Sequence, residues 1–372
     1  MRVLIAPGDF GSLTAAEAAD AMARGWQAEA SDVVTTMPLS DGGAGFVDAV
    51  AAACGGDLVP VTVQGPAGGD VPAAFLLVGR TAYLETSQVL GVHLDPHRDP
   101  TRTTSAGLTA LLRAAVDAGA TRVVVGCGPA ASNDGGAGLL AALGAGDDPH
   151  LLQGALALDD LTDDALRRLA DVRAGWAGVE LVAATDDDLP LLGFHGTSAT
   201  YGEAHGATAE QAQQMERALG RYADVAQRSL VAGRALLGRG QAAEPGSGAG
   251  GGSAFALLLL GARRVSGTDV VLDAVGFGDH LARTDLLVTG AGTFDGSSLH
   301  HGVIAATAAL ALERGVPTVV VARDVEVGRR EALAIGVSGA YAVADRPRPS
   351  AASDPSGALA DRTRRVARTW SR

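Results

Sequence analysis

The chain runs to 372 residues, 47% apolar and only 4% aromatic, with a formal net charge of −13 at pH 7. That length suffices for two ordinary domains, and the negative charge argues against a nucleic-acid partner. None of the 29 basic residues is lysine, which excludes a P-loop ATPase, whose motif requires one.

The opening run Arg2–Ala6 reads as a short buried strand, with too little apolar length for a signal peptide. Thr14 and Glu17 stand at capping-box spacing and start a helix. Val33–Leu39 predicts a strand and Ala44–Cys54 a helix. The texture then changes. "VPVTVQGPAG", "VPAAFLLV" and "TAYLET" are closely spaced strands with turn residues between them, the pattern of hairpins. A helix over Thr104–Ala118, a strand over Arg122–Cys127 and a helix after "SNDGGAG" follow. Gly144–Gly178 is acidic and irregular, with one helix expected near Thr162–Val172.

The strand Val179–Thr185 leads into Asp186–Asp188, and Thr208 with Gln211 caps a long helix to about Leu237. Glu244–Ser253 is glycine-rich. It reads either as a linker or as a cradle of backbone N–H groups opening the helix Ser253–Leu260. "DLLVTG", "VPTVVVA" and "GAYAVA" then alternate with helices. The longest apolar stretch, Phe255–Ala262, is too short to span a bilayer. Cys54 and Cys127, far apart in apolar settings, read as reduced core residues and hence a cytoplasmic protein.

The two ends share βα texture and the middle does not. The expected fold class is therefore α/β with two domains. A discontinuous parallel-sheet domain takes residues 1–57 and 280–372, and an inserted α/β domain with a mixed sheet takes 58–279. The cleft between them is the expected ligand site.

Five polar clusters directly follow predicted strands: "PGDFGS", "SDGG", "PAASNDGG", "DDD" and "GAGTFD". In α/β proteins ligands sit beyond the carboxyl ends of strands. Asp134 suits a general base or a metal–water network, or else an Asx turn before the next helix. Asp186 suits Mg²⁺, which takes one or two carboxylates plus substrate oxygens; otherwise the run is a solvated acidic loop. His300 and His301 read as loop packing, and His205 as a partial stand-in for a cation. A dinucleotide-binding Rossmann domain is excluded because no Gly-x-Gly-x-x-Gly follows the first strand.

These motifs carry a resemblance. "VLIAPGDFGSL", "MPLSDGGAGFVDA", "GCGPAASNDGGAGLLAALGA", "TDDDLPLLGFHGTSATYGEAHGAT", "EPGSGAGGG", "DLLVTGAGTFDGSSLHHG" and "GVPTVVVA" occur in the order found in bacterial glycerate kinases, along essentially the whole chain. The chain resembles that family, whose members phosphorylate glycerate at O2 or O3 with ATP. The resemblance implies that the discontinuous domain is flavodoxin-like and that ATP and Mg²⁺ take part. It assigns base or metal work to Asp134 and Asp186, with Mg²⁺ on Asp186. Ser12, Asp41, Gly42, Gly43, Asn133 and Asp295 are implied to bind substrate. Gly135, Gly136, Gly248, Gly250, Gly251, Gly290 and Gly292 are implied to bind the nucleotide.

The departures fall on charged positions. The family has a lysine between the residues matching Phe10 and Gly11, and a Gln-Lys where Ala204-His205 stand. Its Gly-Glu-Gly-Arg is Gly290-Ala291-Gly292-Thr293 here. Coding bias would turn lysine into arginine, not into His, Thr or nothing. Phosphoryl transfer depends on positioning and charge neutralisation, so two readings stand. One is a divergent kinase acting on glycerate or a related small hydroxy acid or polyol. The other is a non-catalytic small-molecule-binding protein on the same fold. Neither involves nucleic acid or a membrane, and homodimer formation is left open.

Overall fold

The structure, a computed structural model, describes residues 1–230, 240–343 and 354–371. The strands among these residues are β1 (Arg2–Pro7), β2 (Val33–Thr36), β3 (Asp57–Gln64), β4 (Asp70–Val78), β5 (Thr81–Glu85), β6 (Arg122–Cys127), β7 (Glu180–Thr185), β8 (Arg263–Ser266), β9 (Leu286–Gly290), β10 (Thr293–Phe294), β11 (Thr318–Ala322), β12 (Asp324–Val325) and β13 (Val337–Ala342). The helices used below are α1 (Ala15–Gln27), α2 (Phe46–Cys54), α3 (Leu108–Asp117), α4 (Ala137–Leu143), α5 (Ala209–Leu230), α6 (Ser253–Leu259), α7 (Gly302–Glu313) and α8 (Pro355–Trp370). The chain divides into two units. Unit 1 comprises Met1–Asp41, Asp48–Gly55 and Thr268–Arg372, and unit 2 comprises Gly42–Val47 and Gly56–Gly267.

Unit 1 is built on an all-parallel sheet in the order β13-β11-β9-β1-β2. Counting only the strands of this sheet, the order is 2-1-3-4-5, the flavodoxin-like winding. The sequence of β11, TVVVA, shows why both faces are covered. Val319 and Val321 pack in one core with Met22 of α1 and Val366 of α8. Val320 and Ala322 pack in another with Ile304 and Ala308 of α7. A continuous apolar run is what a parallel strand buried on both faces needs. The capping box that opens α1 forms as expected. Glu17 N donates to Thr14 Oγ1 at 3.3 Å, and Thr14 N donates to Glu17 Oε2 at 2.9 Å.

Unit 2 holds a mixed sheet in the order β3-β4-β5-β6-β7-β8. The hairpins β3–β4 and β4–β5 are antiparallel, and β5 to β8 run parallel. One core joins β6 (Val123, Val125) to α3 (Leu108, Leu111), α4 (Leu139, Leu140), α5 (Leu219, Tyr222) and α6 (Phe255, Leu257).

Several expected boundaries move, each for a local reason. β2 stops at Thr36, because Pro38 lacks the N–H a ladder needs. The helix expected from Thr104 begins at Leu108, since Ser105 N is given to Asp134 instead. The helix expected over Thr162–Val172 is confined to Leu169–Gly175. α5 is capped by Thr208 and Gln211, which exchange hydrogen bonds of 2.8 and 3.1 Å. Its expected extension past Leu230 lies outside the described residues. Cys127 is buried as expected, but Cys54 is exposed at the end of α2, which corrects its reading as a core residue. No helix among the described residues is long and apolar enough to cross a membrane.

Candidate active site

The loop that follows β6 in unit 2 is organised by a buried carboxylate. Asp134 is 0% exposed. Its Oδ2 accepts from Ser105 N at 2.8 Å, Ser105 Oγ at 2.9 Å and Gly138 N at 3.1 Å, and its Oδ1 accepts from Gly136 N at 3.0 Å. Burial pushes its pKa up, and the hydrogen bonds from Ser105, Gly138 and Gly136 oppose that shift. Asp134 therefore draws together the turn before α3 and the start of α4. The backbone N–H of Gly136 is spent on Asp134, and that of Gly135 on Gly251 O at 3.0 Å.

The glycine run before α6 is buried rather than a linker. It packs backbone to backbone against the first loop. A Cβ on Gly251 would stand 1.7 Å from Ser132 O, whereas a Cβ on Gly250 would meet nothing closer than 3.4 Å. Both have φ of +62°, a left-handed conformation that favours glycine. Gly248 N donates to Leu189 O at 2.9 Å, so that donor is held inside the turn. Gly42 and Gly43 allow similarly close approaches in unit 2. A Cβ on Gly42 would stand 2.9 Å from Ala184 O, and one on Gly128 would stand 2.3 Å from the Cα of Gly43.

These loops line a pocket within unit 2 that is partly open to solvent. Ser132, Asn133, Asp186, Asp187, Tyr201, His205, Gly248, Gly250 and Gly251 are among its lining residues. Asn133 is 5% exposed. Its Nδ2 donates to Ser198 Oγ at 2.9 Å, while its Oδ1 has no partner among the described residues. Ser132 Oγ is also buried without one. Asp186 follows β7 directly, and its N–H lies 3.4 Å from Cys127 O at the end of β6. Tyr201 donates its hydroxyl to Asp187 Oδ2 at 3.0 Å and stacks on His205, with ring centroids 5.7 Å apart and planes 8° apart. Burial, aided by the charge of Arg98, lowers the pKa of His205. Its imidazole is therefore mostly neutral at pH 7. Asp188 turns to Arg264 instead.

Ser12, Asp41, Asp295, Gly290 and Gly292 belong to unit 1. Here the loops after β1 and β9 meet at the point where the strand order reverses, the favoured ligand position of such sheets. Gly8 N donates to Gly290 O at 2.8 Å, and Gly292 N to Asp9 O at 2.9 Å. Gly290 lets Val321 approach, since a Cβ there would stand 1.9 Å from Val321 O. Ser12 is exposed. Asp41 Oδ2 lies 3.9 Å from where a Cβ on Gly302 would stand, which puts it beside the start of α7. Asp295 is held in its own turn by Ser297 Oγ at 2.6 Å and Ser298 N at 3.1 Å. Hydrogen bonds from Ser297 and Ser298 lower its pKa against a burial effect that raises it.

One cation at this reversal point escapes the sequence reading. Arg323 stands just past β11, with Nη1 3.5 Å from Phe10 O and Nη2 3.5 Å from Thr293 Oγ1, while Nε donates to Asp324 at 2.8 Å. Its place immediately after the predicted strand "VPTVVVA" was the available signal.

Among the described residues no three His, Cys, Asp or Glu side chains converge to hold a metal by themselves. Mg²⁺ needs only one or two carboxylates when phosphates and water complete its shell. Asp186 and Asn133 line the same pocket, and a carboxylate with an amide oxygen are the hard oxygen donors that ion prefers.

The model of the glycerate kinase family matches residues 3–371. The chain is 33% identical to the glycerate kinase of Bacillus subtilis over 355 residues, 92% of this chain and 90% of that protein. It is 33% identical to the glycerate 2-kinase of Escherichia coli over 333 residues, 87% and 85% of the two chains. An uncharacterized protein of Mycobacterium bovis is 37% identical over 353 residues, 93% of this chain and 84% of the other. A solved structure of a candidate glycerate kinase 2 from Salmonella typhimurium LT2 aligns with a TM-score of 0.75 at 32% identity, covering 99% of this chain and 98% of that one.

Proposed function

The chain belongs to the glycerate kinase family, and from that premise we propose that it is an active kinase that uses ATP and Mg²⁺ to phosphorylate a hydroxyl of glycerate or a related small hydroxy acid or polyol. The observation that supports this most directly is the unpartnered pair in the pocket. Asn133 Oδ1 and Ser132 Oγ are buried without a partner among the described residues, and both residues line the pocket with Asp186. Leaving such groups unmade costs ~1–3 kcal/mol each, and a ligand hydroxyl removes that cost.

In this reading Asn133 and Ser132 orient the acceptor. Asp186 takes the hydroxyl proton or holds Mg²⁺. The chemistry a bound Mg²⁺ supplies is neutralisation of phosphate charge. Asp134 has its oxygens occupied by loop donors, so its part is to hold the loop that carries Asn133. Gly250 admits the ligand close to the backbone, while Gly251 admits the loop that carries Ser132. Ser12, Gly290, Gly292 and Arg323 of unit 1 are assigned to phosphate groups, with Arg323 supplying positive charge where the chain has no lysine. Asp41 and Asp295 are assigned to substrate.

A coupled assay of ADP release over a panel of hydroxy acids and polyols tests the proposal, with Asp186→Ala as the control. Turnover by the wild type that falls at least a hundredfold in the control supports it. Among the described residues the pocket lining contains no arginine, and the pKa of its one histidine, His205, is lowered by burial and Arg98, which favours the second reading, binding without transfer. Calorimetric binding of ATP·Mg²⁺ and an acceptor with no ADP released would establish that reading and end the first.

A further inference from the structure

Within the phosphotransfer reading above, on which it rests, we propose that Arg264 is a positioning residue of the site. Its guanidinium clamps the chain on both sides of Asp186 and so holds that carboxylate in the pocket wall.

Arg264 belongs to β8, an edge strand of the unit 2 sheet, and lies opposite Ala183 of the parallel strand β7. Side chains alternate along a strand. Arg264 therefore shares a face with Thr185, while Arg263 takes the other face, with Nε 3.4 Å from Glu180 Oε1. The Arg264 side chain runs toward the carboxyl end of β7. Its Nε donates to Thr185 Oγ1 at 2.9 Å, and its Nη2 donates to the Asp188 carboxylate and lies 3.5 Å from Asp187 O. These contacts fall on the residue before Asp186 and on the two after it. The backbone of Asp186 is held from both ends.

The carboxylates of the run thus divide their duties. Asp187 accepts from Leu189 N at 2.9 Å and from the Tyr201 hydroxyl at 3.0 Å, and Asp188 pairs with Arg264. Asp186 lines the pocket with Ser132 and Asn133.

A second observation converges on the same guanidinium. A Cβ on Gly246 would stand 2.8 Å from Thr185 Oγ1, 2.9 Å from Arg264 Nε and 3.1 Å from Asp187 O. The glycine run enters over the clamp, shortly before Gly248, Gly250 and Gly251, which line the pocket. One planar group fixes both the loop after β7 and the entry to the glycine turn.

Arginine suits this task and lysine does not. A guanidinium presents its donors in a rigid fork, whereas an ammonium is a compact point charge. Acceptors spread over Thr185, Asp187 and Asp188 need the fork. Misplacing a reacting group by about 1 Å can cost on the order of a hundredfold in rate. The clamp therefore acts on turnover more than on acceptor binding, which is assigned to Ser132 and Asn133.

The test uses the full chain with ATP and Mg²⁺ and whichever of D-glycerate, glycerol and erythritol the wild type turns over. ADP release gives kcat and KM, and urea unfolding gives stability. Arg264→Gln is expected to lower kcat at least tenfold while the acceptor KM stays within about threefold. The Arg264 side chain is 27% accessible and that of Asp188 44%, and pairs this open add little to stability, so the unfolding midpoint should stay near that of the wild type. Arg264→Lys, which keeps the charge and loses the fork, is expected to lower kcat at least fivefold. Asp188→Ala removes one contact of the clamp and should lower kcat at least twofold, with no further loss when added to Arg264→Gln. Wild-type kcat in either Arg264 variant, or a loss confined to KM, would overturn the clamp and leave phosphotransfer standing. No ADP release by the wild type with any of the three acceptors would overturn the kinase reading and the clamp with it.

Discussion

Ser105 gives both its backbone N–H and its hydroxyl to one oxygen of Asp134, at 2.8 and 2.9 Å. The same hydroxyl oxygen accepts from Leu139 N at 3.0 Å. The lead-in to α3 and the first turn of α4 are thus joined through one carboxylate that water does not reach. Thr109 Oγ1 and Arg113 Nη2 of α3 add hydrogen bonds to Leu139 O and Ala142 O of α4 at 3.2 and 3.3 Å, so Asp134 is the buried end of a seam that fixes the candidate loop.

Asp134→Ala is expected to lower stability by about 3 kcal/mol, because it leaves several buried donors unmade. Asp134→Asn keeps one acceptor oxygen and should lose less, about 1–2 kcal/mol. Urea unfolding of the three proteins measures both. A loss under ~1 kcal/mol in the alanine variant would contradict the bracing role.

Gly250 and Gly251 share φ of +62° but differ in their surroundings. Gly250→Ala should cost only the left-handed strain, about 1 kcal/mol. Gly251→Ala adds the collision with Ser132 O and should cost ~3 kcal/mol more. Equal unfolding midpoints for the two variants would show that the loops do not pack as described.

Arg323 is half-exposed, with a side chain 52% accessible, and its ion pair with Asp324 is equally open. Such pairs contribute ~0–1 kcal/mol to stability. Arg323→Gln should therefore leave the unfolding midpoint nearly unchanged while lowering kcat/KM at least tenfold on whichever acceptor the chain uses. Unchanged kinetics would remove Arg323 from the phosphate-binding set.

Arg2 and Asp285 form a 2.5 Å ion pair between the start of β1 and the residue before β9. Hydrogen bonds from Arg2 pull the pKa of Asp285 down to about 2. An unfolded aspartate titrates near ~3.9. A depressed folded value means that the contribution is fully present above the unfolded pKa and lost as pH falls through the folded one. The stability gap between wild type and Asp285→Asn should be constant from pH 5 to pH 7, narrow below about pH 4 and close near pH 2. Unfolding curves at pH 6, 4 and 2 check this; a gap that widens with acid would reverse the sign.

Much of the scaffold was legible because period and punctuation dominate it. β6 occupies Arg122–Cys127 as expected, since an apolar run bounded by Gly119 and Gly128 leaves little choice. The capping pairs Thr14–Glu17 and Thr208–Gln211 were readable because their partners lie three residues apart. What sequence pattern missed depends on distant contacts. The glycine run at Gly246–Gly252 has a linker's composition, and only distant neighbours explain its glycines: Pro190 beside Gly248, Ser132 beside Gly251 and Gly135 beside Gly252. α3 starts late because Ser105 is claimed by a residue 29 positions away. Arg323 was overlooked for the same reason, since Phe10, its neighbour in space, is 313 positions off.

The pairing of β1 with β9 sets a timetable for synthesis. Val3 lies opposite Leu286, and Thr289 Oγ1 donates to Ala6 O across 283 residues of chain. At ~5–20 residues per second, β1 leaves the ribosome roughly 15–60 s before its central neighbour exists. Every strand of the unit 2 sheet, β3 to β8, emerges in that interval, so that sheet can close while β1 still waits. Val3, Leu4 and Ile5, all buried in the finished protein, are then an apolar segment with one side of the strand unpaired. A nascent chain of this design has a long window in which a trigger-factor-type holdase has something to hold, and a ribosome stalled before residue 286 would carry a finished second unit and an open first one.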